Sequence, residues 1–158
     1  MVEQEIAALL TARREKLAVA ESSAGGLIAA RLLALPGASA FFLGGSVIYT
    51  AAAREGLLGI TAGDMAGMRP STEAYTALLA ERVRIRLGAD WGLSETGATG
   101  PAGNRYGDAA GHACLAVAGP VARRATLATG QGDRAANMQR FADAALLLLR
   151  DALRGESS

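Results

Sequence analysis

The chain contains two glycine-rich loops, and each one directly follows an apolar run typical of a β-strand. The first loop spans residues 20–26 (AESSAGG) and the second spans residues 95–104 (ETGATGPAGN). Glycine lets a backbone approach a ligand closely, and neighbouring hydroxyls supply hydrogen-bond donors or a nucleophile. Loops at equivalent strand ends of an open α/β sheet face one crevice, where such sheets bind ligands. The two loops are therefore expected to form opposite sides of one binding site.

Apolar periodicity along the rest of the chain predicts strands that alternate with helices. Helices are predicted over residues 2–15, 26–35, 51–58 and 71–88, with Ser71 as the N-cap of the fourth, and Asp133 caps a final helix. Residues 61–70 are predicted to be irregular. Strands are predicted over residues 16–20, 41–49, 91–95, 114–117 and 125–129, with a bulge or close approach at Gly44–Gly45. This order predicts a single three-layer α/β/α domain over residues 1–158, with a mixed, mostly parallel sheet.

Composition argues against several classes of partner. Aromatic residues make up 4% of the chain and the net charge is +1, so neither an aromatic nucleic-acid platform nor a phosphate-backbone surface is predicted. No signal peptide is recognised, and no apolar run reaches the ~18–20 residues that span a bilayer. We therefore expect a cytoplasmic protein with neither a nucleic-acid nor a membrane partner.

Cysteine, lysine and histidine each occur once, as Cys114, Lys16 and His112. A single cysteine excludes an internal disulfide, and it is interpreted as a small core residue. We interpret His112 as a structural residue, because no second histidine or close carboxylate cluster offers metal-ligand spacing. No metal and no cofactor are predicted, and neither GxxxxGK[ST] nor GxGxxG occurs in the chain.

Each loop has a functional and a purely structural interpretation. Backbone N–H groups around residues 23–26 are expected at a helix N-terminus, which can bind an anion or a phosphate. A tight strand-to-helix turn capped by serine would have the same sequence pattern. The second loop, with Asn104, Arg105 and Asp108, is long enough to cover a ligand, although a mobile surface loop has that length too.

Together with these loops, three further segments resemble the CinA carboxy-terminal domain family: residues 42–50 (FLGGSVIYT), 57–60 (LLGI) and 132–134 (GDR). The likeness covers nearly the whole chain in the same order. Characterised members are nicotinamide mononucleotide amidohydrolases, which form nicotinic acid mononucleotide and ammonia. The resemblance therefore implies an amidohydrolase that acts on a pyridine nucleotide, and a homo-oligomer (a dimer or larger).

By similarity, Ser22 is the nucleophile, while Tyr49 and Thr96 line the nucleotide pocket. The family's first loop usually reads ESCTGG where this chain has ESSAGG, and its second reads TGIAGP where this chain has TGATGP. The expected catalytic residues are Ser22, Arg54 and Tyr49. The expected substrate-binding residues are Glu21, Ser23, Gly25, Gly26, Thr96, Gly97, Gly100, Asn104 and Arg105.

Three positions depart from the family pattern. This chain has Arg54 where the family has its catalytic lysine, and Asp108-Ala109 where the family has a Lys-Pro pair. A family arginine is also replaced near residues 137–138. A guanidinium stays charged and cannot accept a proton from serine, unlike a lysine amine with a depressed pKa. Lys16 is no substitute, because six residues of extended strand place it roughly 20 Å from Ser22.

Arg54 can still stabilise an oxyanion or clamp a phosphate. The proton acceptor would then be Glu21, Tyr49, Asp108, His112 or water, and the sequence does not choose among them. Two other functions stay open beside the amidohydrolase. One is a non-catalytic nucleotide-binding protein, and the other is a hydrolase for a different amide or phosphorylated substrate.

Overall fold

The computed structural model describes residues 1–156. Its strands are β1 (Leu17–Glu21), β2 (Phe42–Val47), β3 (Trp91–Ala98), β4 (His112–Ala118) and β5 (Arg123–Ala128), in the spatial order β2-β1-β3-β4-β5. β1 pairs in parallel with β2 and β3, whereas β4 is antiparallel to both β3 and β5. Thus β4 alone is reversed, which confirms the predicted mixed, mostly parallel sheet.

The helices cover both faces of this sheet. They are α1 (Val2–Arg13), α2 (Leu27–Leu33), α3 (Ala51–Leu58), α4 (Ala62–Met65), α5 (Glu73–Leu87) and α6 (Arg134–Arg154). Successive strand residues point to opposite faces, so Leu17 and Val19 join the core beneath α1, α2 and α6. Ala18 and Ala20 join the core beneath α5. The predicted three-layer α/β/α arrangement is confirmed.

The prediction of Ser71 as a helix cap is wrong. Ser71 has a φ of 62°, in the left-handed region, so the chain is still turning at this residue. Thr72 is the N-cap of α5, and its hydroxyl accepts a hydrogen bond of 3.2 Å from the N–H of Tyr75. The segment predicted to be irregular also contains α4, because Thr61 and Asp64 form a reciprocal capping box around its first turn.

β3 continues past its predicted end at Glu95 to Ala98, because β4 pairs with it as far as His112. Thr96 and Gly97 therefore lie on the strand rather than in the loop. The predicted close approach at Gly44–Gly45 is confirmed, since a Cβ on Gly45 would lie 2.9 Å from the carbonyl oxygen of Val19. The other predicted elements are present, with ends shifted by one or two residues.

Candidate active site

The two glycine-rich segments leave the sheet side by side. β1 and β3 are adjacent and parallel, and Glu21 pairs with Glu95 in register at their carboxyl ends. From β1 the chain crosses to β2 on one side, while β3 lies on the other, so a crevice opens at this edge. The expectation that the two loops flank one crevice is confirmed.

A cavity of about 700 Å³ occupies this crevice. Its wall combines the start of the first loop, the connection from β2 into α3, the segment before α5, and the end of β3. Seven predicted site residues line it: Ser22, Tyr49, Arg54, Thr96, Gly97, Asn104 and Arg105. Two of these are arginines, and no Asp or Glu belongs to the lining within the described residues. The cavity is therefore suited to a ligand with negative charge.

Ser22 is held by its backbone rather than by its side chain. Its N–H donates to the Oε1 atom of Glu95 at 3.1 Å and to the carbonyl oxygen of the same residue at 3.0 Å. Within residues 1–156 its hydroxyl has no internal hydrogen bond, and the residue borders the cavity. The backbone of Ser22 is thus fixed, while its hydroxyl is free of internal hydrogen bonds at a residue that lines the cavity.

Arg54 lies on α3, whose first turn is capped by the Thr50 hydroxyl. Its Nη1 atom is 3.5 Å from the hydroxyl of Tyr75, and its guanidinium carbon is 5.6 Å from the centroid of that ring. The Nε atom is buried without a hydrogen-bond partner, and no carboxylate in the described part of the chain forms an ion pair with the guanidinium. Arg54 therefore brings an uncompensated positive charge to the cavity wall.

Glu95 is a fully buried carboxylate whose role the sequence did not reveal. Its Oε1 atom accepts from the N–H groups of Ser22 and Ala24, the latter at 2.8 Å, and its Oε2 atom accepts from the Ser23 hydroxyl at 2.5 Å. Burial raises the pKa of Glu95 to about 7, opposed by these three donors. The sequence signal available for it was a glutamate at the end of an apolar strand that directly precedes a glycine-rich loop, as Glu21 does.

Glu21 is the second buried carboxylate at this edge. It accepts from the N–H groups of Gly26 at 3.1 Å, Ile28 at 3.0 Å and Ala29 at 2.9 Å. Burial raises the pKa of Glu21, and the same N–H groups oppose that rise. Glu21 thereby fills the positive end of α2 with a side chain of the protein itself.

Three of the four N–H groups of residues 23–26, the expected anion site, are therefore already occupied, and the Ser23 N–H alone has no internal hydrogen bond within residues 1–156. The occupied N–H groups are those of Ala24, which donates to Glu95, of Gly25, which donates to the Ser22 carbonyl, and of Gly26, which donates to Glu21. Glu21, Gly25 and Gly26 were expected to bind substrate, but they line neither cavity of this edge. At residue 26 the φ of 102° explains the need for glycine instead.

A smaller cavity of about 190 Å³ adjoins the first and shares Tyr49, Gly97 and Asn104 with it. Ser23 and Gly100, both predicted as substrate-binding residues, line this smaller space. So does Arg134, which follows the cap of α6 and was singled out only as part of the GDR segment. Arg134 donates to the carbonyl oxygen of Gly100 at 2.7 Å and to the Tyr49 hydroxyl at 3.2 Å.

Asn104 organises the second loop internally. Its side-chain oxygen accepts from the N–H groups of Tyr106 and Asp108, and its amide donates to the Asp108 carboxylate at 2.8 Å. Asp108 in turn pairs with Arg69 through two hydrogen bonds, at 2.8 and 3.1 Å. Hydrogen bonding to Arg69 lowers the pKa of Asp108. The loop is thereby fastened to the segment before α5.

The single lysine and the single histidine lie away from Ser22. The Lys16 amine donates to the carbonyl oxygen of Ala40 at 2.6 Å, and Lys16 precedes β1, at the opposite end from Ser22. The His112 Nε2 atom is 2.9 Å from the carbonyl oxygen of Ser71, and His112 borders neither cavity. Cys114 is buried and lies 3.7 Å from His112, consistent with a core residue.

Among residues 1–156 no helix is long and apolar enough to cross a membrane. In the same part of the chain no group of three or more His, Cys, Asp or Glu side chains is arranged to hold a metal ion.

The fold and the crevice define an open α/β domain with a cavity at the carboxyl ends of two parallel strands. The model of the family described as CinA C-terminal domain matches residues 1–153, and the chain belongs to that family. A CinA-like protein of Anaeromyxobacter sp. (strain K) is 42% identical over 149 residues, which cover 94% of this chain and 36% of that protein. A CinA-like protein of Chlorobium limicola is 35% identical over 150 residues, covering 92% and 35%. The chain thus spans about a third of the length of these curated relatives.

Solved structures of the superfamily share the whole fold. A competence-damaged protein (CinA) superfamily protein from Klebsiella pneumoniae has a TM-score of 0.90 and 26% identity, covering 98% of this chain and 96% of that chain. The competence/damage inducible protein CihA from Agrobacterium tumefaciens has a TM-score of 0.86 and 25% identity, covering 97% and 95%. The resemblance stated from the loop motifs is confirmed.

Proposed function

We propose that this protein is a serine-dependent amidohydrolase that converts nicotinamide mononucleotide to nicotinic acid mononucleotide and ammonia. The observation that carries the proposal is that Ser22 and Arg54 line the same cavity, one with an unbonded hydroxyl and the other with an unpaired guanidinium. Membership of the CinA C-terminal domain family supports the reaction class.

The chemistry begins with attack of the Ser22 oxygen on the carboxamide carbon, which moves negative charge onto the carbonyl oxygen. In the first loop, the N–H of Ser23 has no internal hydrogen bond within residues 1–156. This N–H is therefore available to donate to the oxyanion. Ammonia leaves when its nitrogen gains a proton. Water then hydrolyses the acyl intermediate and regenerates the serine.

Substrate binding follows from the charge of the cavity. A nucleotide phosphate is an anion, and Arg54 and Arg105 are the charged residues of the lining. Arginine binds phosphate through two parallel hydrogen bonds, which fixes orientation as well as affinity. A lining without carboxylates adds no repulsion.

The direct test is to incubate the purified protein with nicotinamide mononucleotide and to measure ammonia and nicotinic acid mononucleotide. We expect turnover in the unaltered protein and none in Ser22→Ala, with both proteins folded by circular dichroism. Ammonia at the level of buffer with folded protein would reject the activity. If that happens, turnover of another amide or phosphorylated amide would indicate a hydrolase with a different substrate, and no turnover of any of them would indicate that hydrolase activity is absent.

One observation favours a second candidate, a nucleotide-binding protein without catalysis. Ser22 has no side chain hydrogen-bonded to its hydroxyl in residues 1–156 that can act as a base, and Arg54 stands where the resemblance implies a catalytic lysine. This function predicts saturable binding of the nucleotide by calorimetry without product. Binding would then be equal in the unaltered protein and in Ser22→Ala.

A further inference from the structure

The proposed reaction needs a group that accepts a proton when Ser22 attacks. Among the side chains named from the sequence, Tyr49 lines both cavities, but its hydroxyl oxygen already accepts a hydrogen bond from Arg134 at 3.2 Å. The other three are occupied or lie outside the cavities. Glu21 binds three N–H groups of α2 and its carboxylate borders neither cavity. Asp108 is paired with Arg69, which makes its carboxylate a weak base. His112 lies outside both cavities. One further carboxylate, on Glu95, lies behind the first loop. It also borders neither cavity, but it accepts a hydrogen bond from the hydroxyl of Ser23, a residue that lines the smaller cavity.

Glu95 contacts three consecutive residues of the first loop, and one of these contacts is reversible. The N–H groups of Ser22 and Ala24 can only donate to its Oε1 atom. The Ser23 hydroxyl, by contrast, donates to Oε2 when Glu95 is ionised and accepts from Oε2 when Glu95 is protonated. Rotation of a single hydroxyl hydrogen therefore satisfies both protonation states, at a residue that is 0% exposed.

Ser23 connects this buried pair to the solvent side. It lines the smaller cavity, Ser22 lines the larger one, and Tyr49, Gly97 and Asn104 border both. A water bound at this shared boundary would have polar partners on both sides, and water is also the second substrate of a hydrolysis. Such a water would link the Ser22 hydroxyl to the Ser23 oxygen, whose own hydroxyl hydrogen is donated to Glu95.

We propose that Glu95, acting through the Ser23 hydroxyl, takes up the proton of Ser22 and returns it to the departing amine. This inference rests on the proposed function. In the first half-reaction the Ser22 O–H bond breaks and an O–H bond forms on Glu95, so negative charge moves from the carboxylate to the oxyanion. In the return step the Glu95 proton travels back along the same route to nitrogen, and neutral ammonia leaves.

The charges around Glu95 are consistent with a group that exchanges a proton near neutrality. On β1 the facing charged group is Glu21, whose carboxylate disfavours ionisation of Glu95. On β4 the paired residue is Leu115, which carries no charge. At the start of α6, Arg134 borders the smaller cavity beside Ser23. Burial raises the pKa of Glu95 to about 7, within the range useful to an acid–base group.

The first arm of the test follows the free protein by NMR. We expect the amide signals of Ser22 and Ala24 to titrate with a midpoint near neutrality, and Glu95→Gln to abolish that titration. Ser23→Ala should move the midpoint upward, because it removes a donor to the ionised form. Glu55→Gln, an exposed acid on α3, is the control and should leave the curve unchanged. A Glu95 midpoint below pH 5 would overturn the proposal.

The second arm measures turnover of nicotinamide mononucleotide against pH. We expect Glu95→Gln to lower kcat with little change in KM and to remove the acidic limb of the pH profile. Ser23→Ala should lower kcat and Ser23→Thr should restore it, because only the hydroxyl is needed. If Glu95→Gln fails to fold, this serine pair decides the question alone.

The outcomes distinguish the two proposals. Turnover with an unchanged pH profile in Glu95→Gln, or full activity in Ser23→Ala, overturns this inference and leaves the amidohydrolase standing. Absence of turnover in the unaltered protein overturns the proposed function, and the proton route with it.

Discussion

The two walls of the larger cavity differ in how their charges are compensated. On the side of the first loop, Glu21 and Glu95 are each surrounded by three donors from residues 22–29. On the opposite side, Arg54 has a weak contact to Tyr75 and a buried Nε atom without a partner. The buried carboxylates on the first side are fully paired in the free protein, whereas the buried guanidinium nitrogen on the second side has no partner.

This difference indicates that the two sides of the cavity serve different functions. A wall whose donors and acceptors are already paired has a fixed geometry, which is what a nucleophile requires for preorganised attack. A buried donor without a partner is costly, and a ligand that supplies the acceptor recovers that cost. We therefore expect the first wall to govern the reaction rate and the second to govern affinity.

The strongest test of this comparison is Ser22→Ala. Removal of the nucleophile should reduce kcat for nicotinamide mononucleotide by at least about a thousandfold, as losses of serine nucleophiles do elsewhere. Binding measured by calorimetry should change little, because affinity is assigned to the other wall. The control is Ser39→Ala, an exposed serine outside both cavities. A Ser22→Ala protein with normal turnover would remove Ser22 from the reaction.

Glu95→Gln tests whether the first wall holds a titratable charge. A carboxylate whose pKa is raised on folding stabilises the fold fully below its unfolded value of about 4.5, and that stability is lost as pH rises through about 7. The shift corresponds to at most about 3 kcal/mol. Between pH 5 and pH 8 the variant should therefore gain stability relative to the unaltered protein. Urea unfolding at several pH values measures the difference, and parallel curves for the two proteins would contradict the raised pKa.

Arg54→Ala tests the second wall. Loss of charge-assisted hydrogen bonds, worth about 1.5–3 kcal/mol, should raise the Kd for nicotinamide mononucleotide about tenfold to a hundredfold. Inorganic phosphate should compete for binding to the unaltered protein and not to the variant. Arg150→Ala, on α6 and paired with Asp151, is the matched control. An unchanged Kd would show that another group binds the anion.

Arg54→Lys sharpens the same comparison. If the guanidinium binds phosphate through two parallel hydrogen bonds, the lysine variant should have an affinity for nicotinamide mononucleotide between those of the arginine and alanine proteins. A rise in kcat would instead show that a lysine at this position can act as the base. A fall in both kcat and affinity would show that the guanidinium itself takes part in the reaction.

The smallest effect is expected from Asp108→Asn. This change loosens the second loop from Arg69, so KM should rise a few-fold at neutral pH while kcat stays nearly constant. The pKa of Asp108 is lowered by its hydrogen bond to Arg69, so the ion pair persists below the usual Asp value of 3.8 and weakens only at still lower pH. The control is Asp143→Asn, which breaks an ion pair between α6 and Arg31. A large fall in kcat would place Asp108 in the reaction rather than in the loop.

Much of the site was predictable, because its position follows from topology. A glycine-rich segment after each of two strands is enough to place both at one edge of a parallel sheet. Family motifs supplied Ser22 and the position of Arg54, and both border the cavity. The N-cap of α5 was less predictable, since Ser71 and Thr72 are both good caps by type and the left-handed φ of Ser71 decides between them.

The buried carboxylates could not be assigned from sequence alone. A glutamate beside a glycine-rich loop has the pattern of a ligand-binding residue, and Glu21 was interpreted in that way. Its actual role depends on complete burial and on the direction of α2, which are properties of the tertiary structure. Glu95 also opens a glycine-rich loop, but its pairing with Ser22, Ser23 and Ala24 depends on β1 and β3 being neighbours in the sheet, which the sequence does not show.

The register of Glu21 with Glu95 has a consequence for exchanging parts between relatives. The loop after β1 is hydrogen-bonded to the side chain of Glu95, more than seventy positions away, so the loop and this residue are expected to evolve together. A chimera that imports the Cys-Thr version of residues 23 and 24 would leave Glu95 without its hydroxyl donor. We expect such a transplant to succeed only when residue 95 is replaced together with the loop, and positions 23 and 95 to vary together across related genomes.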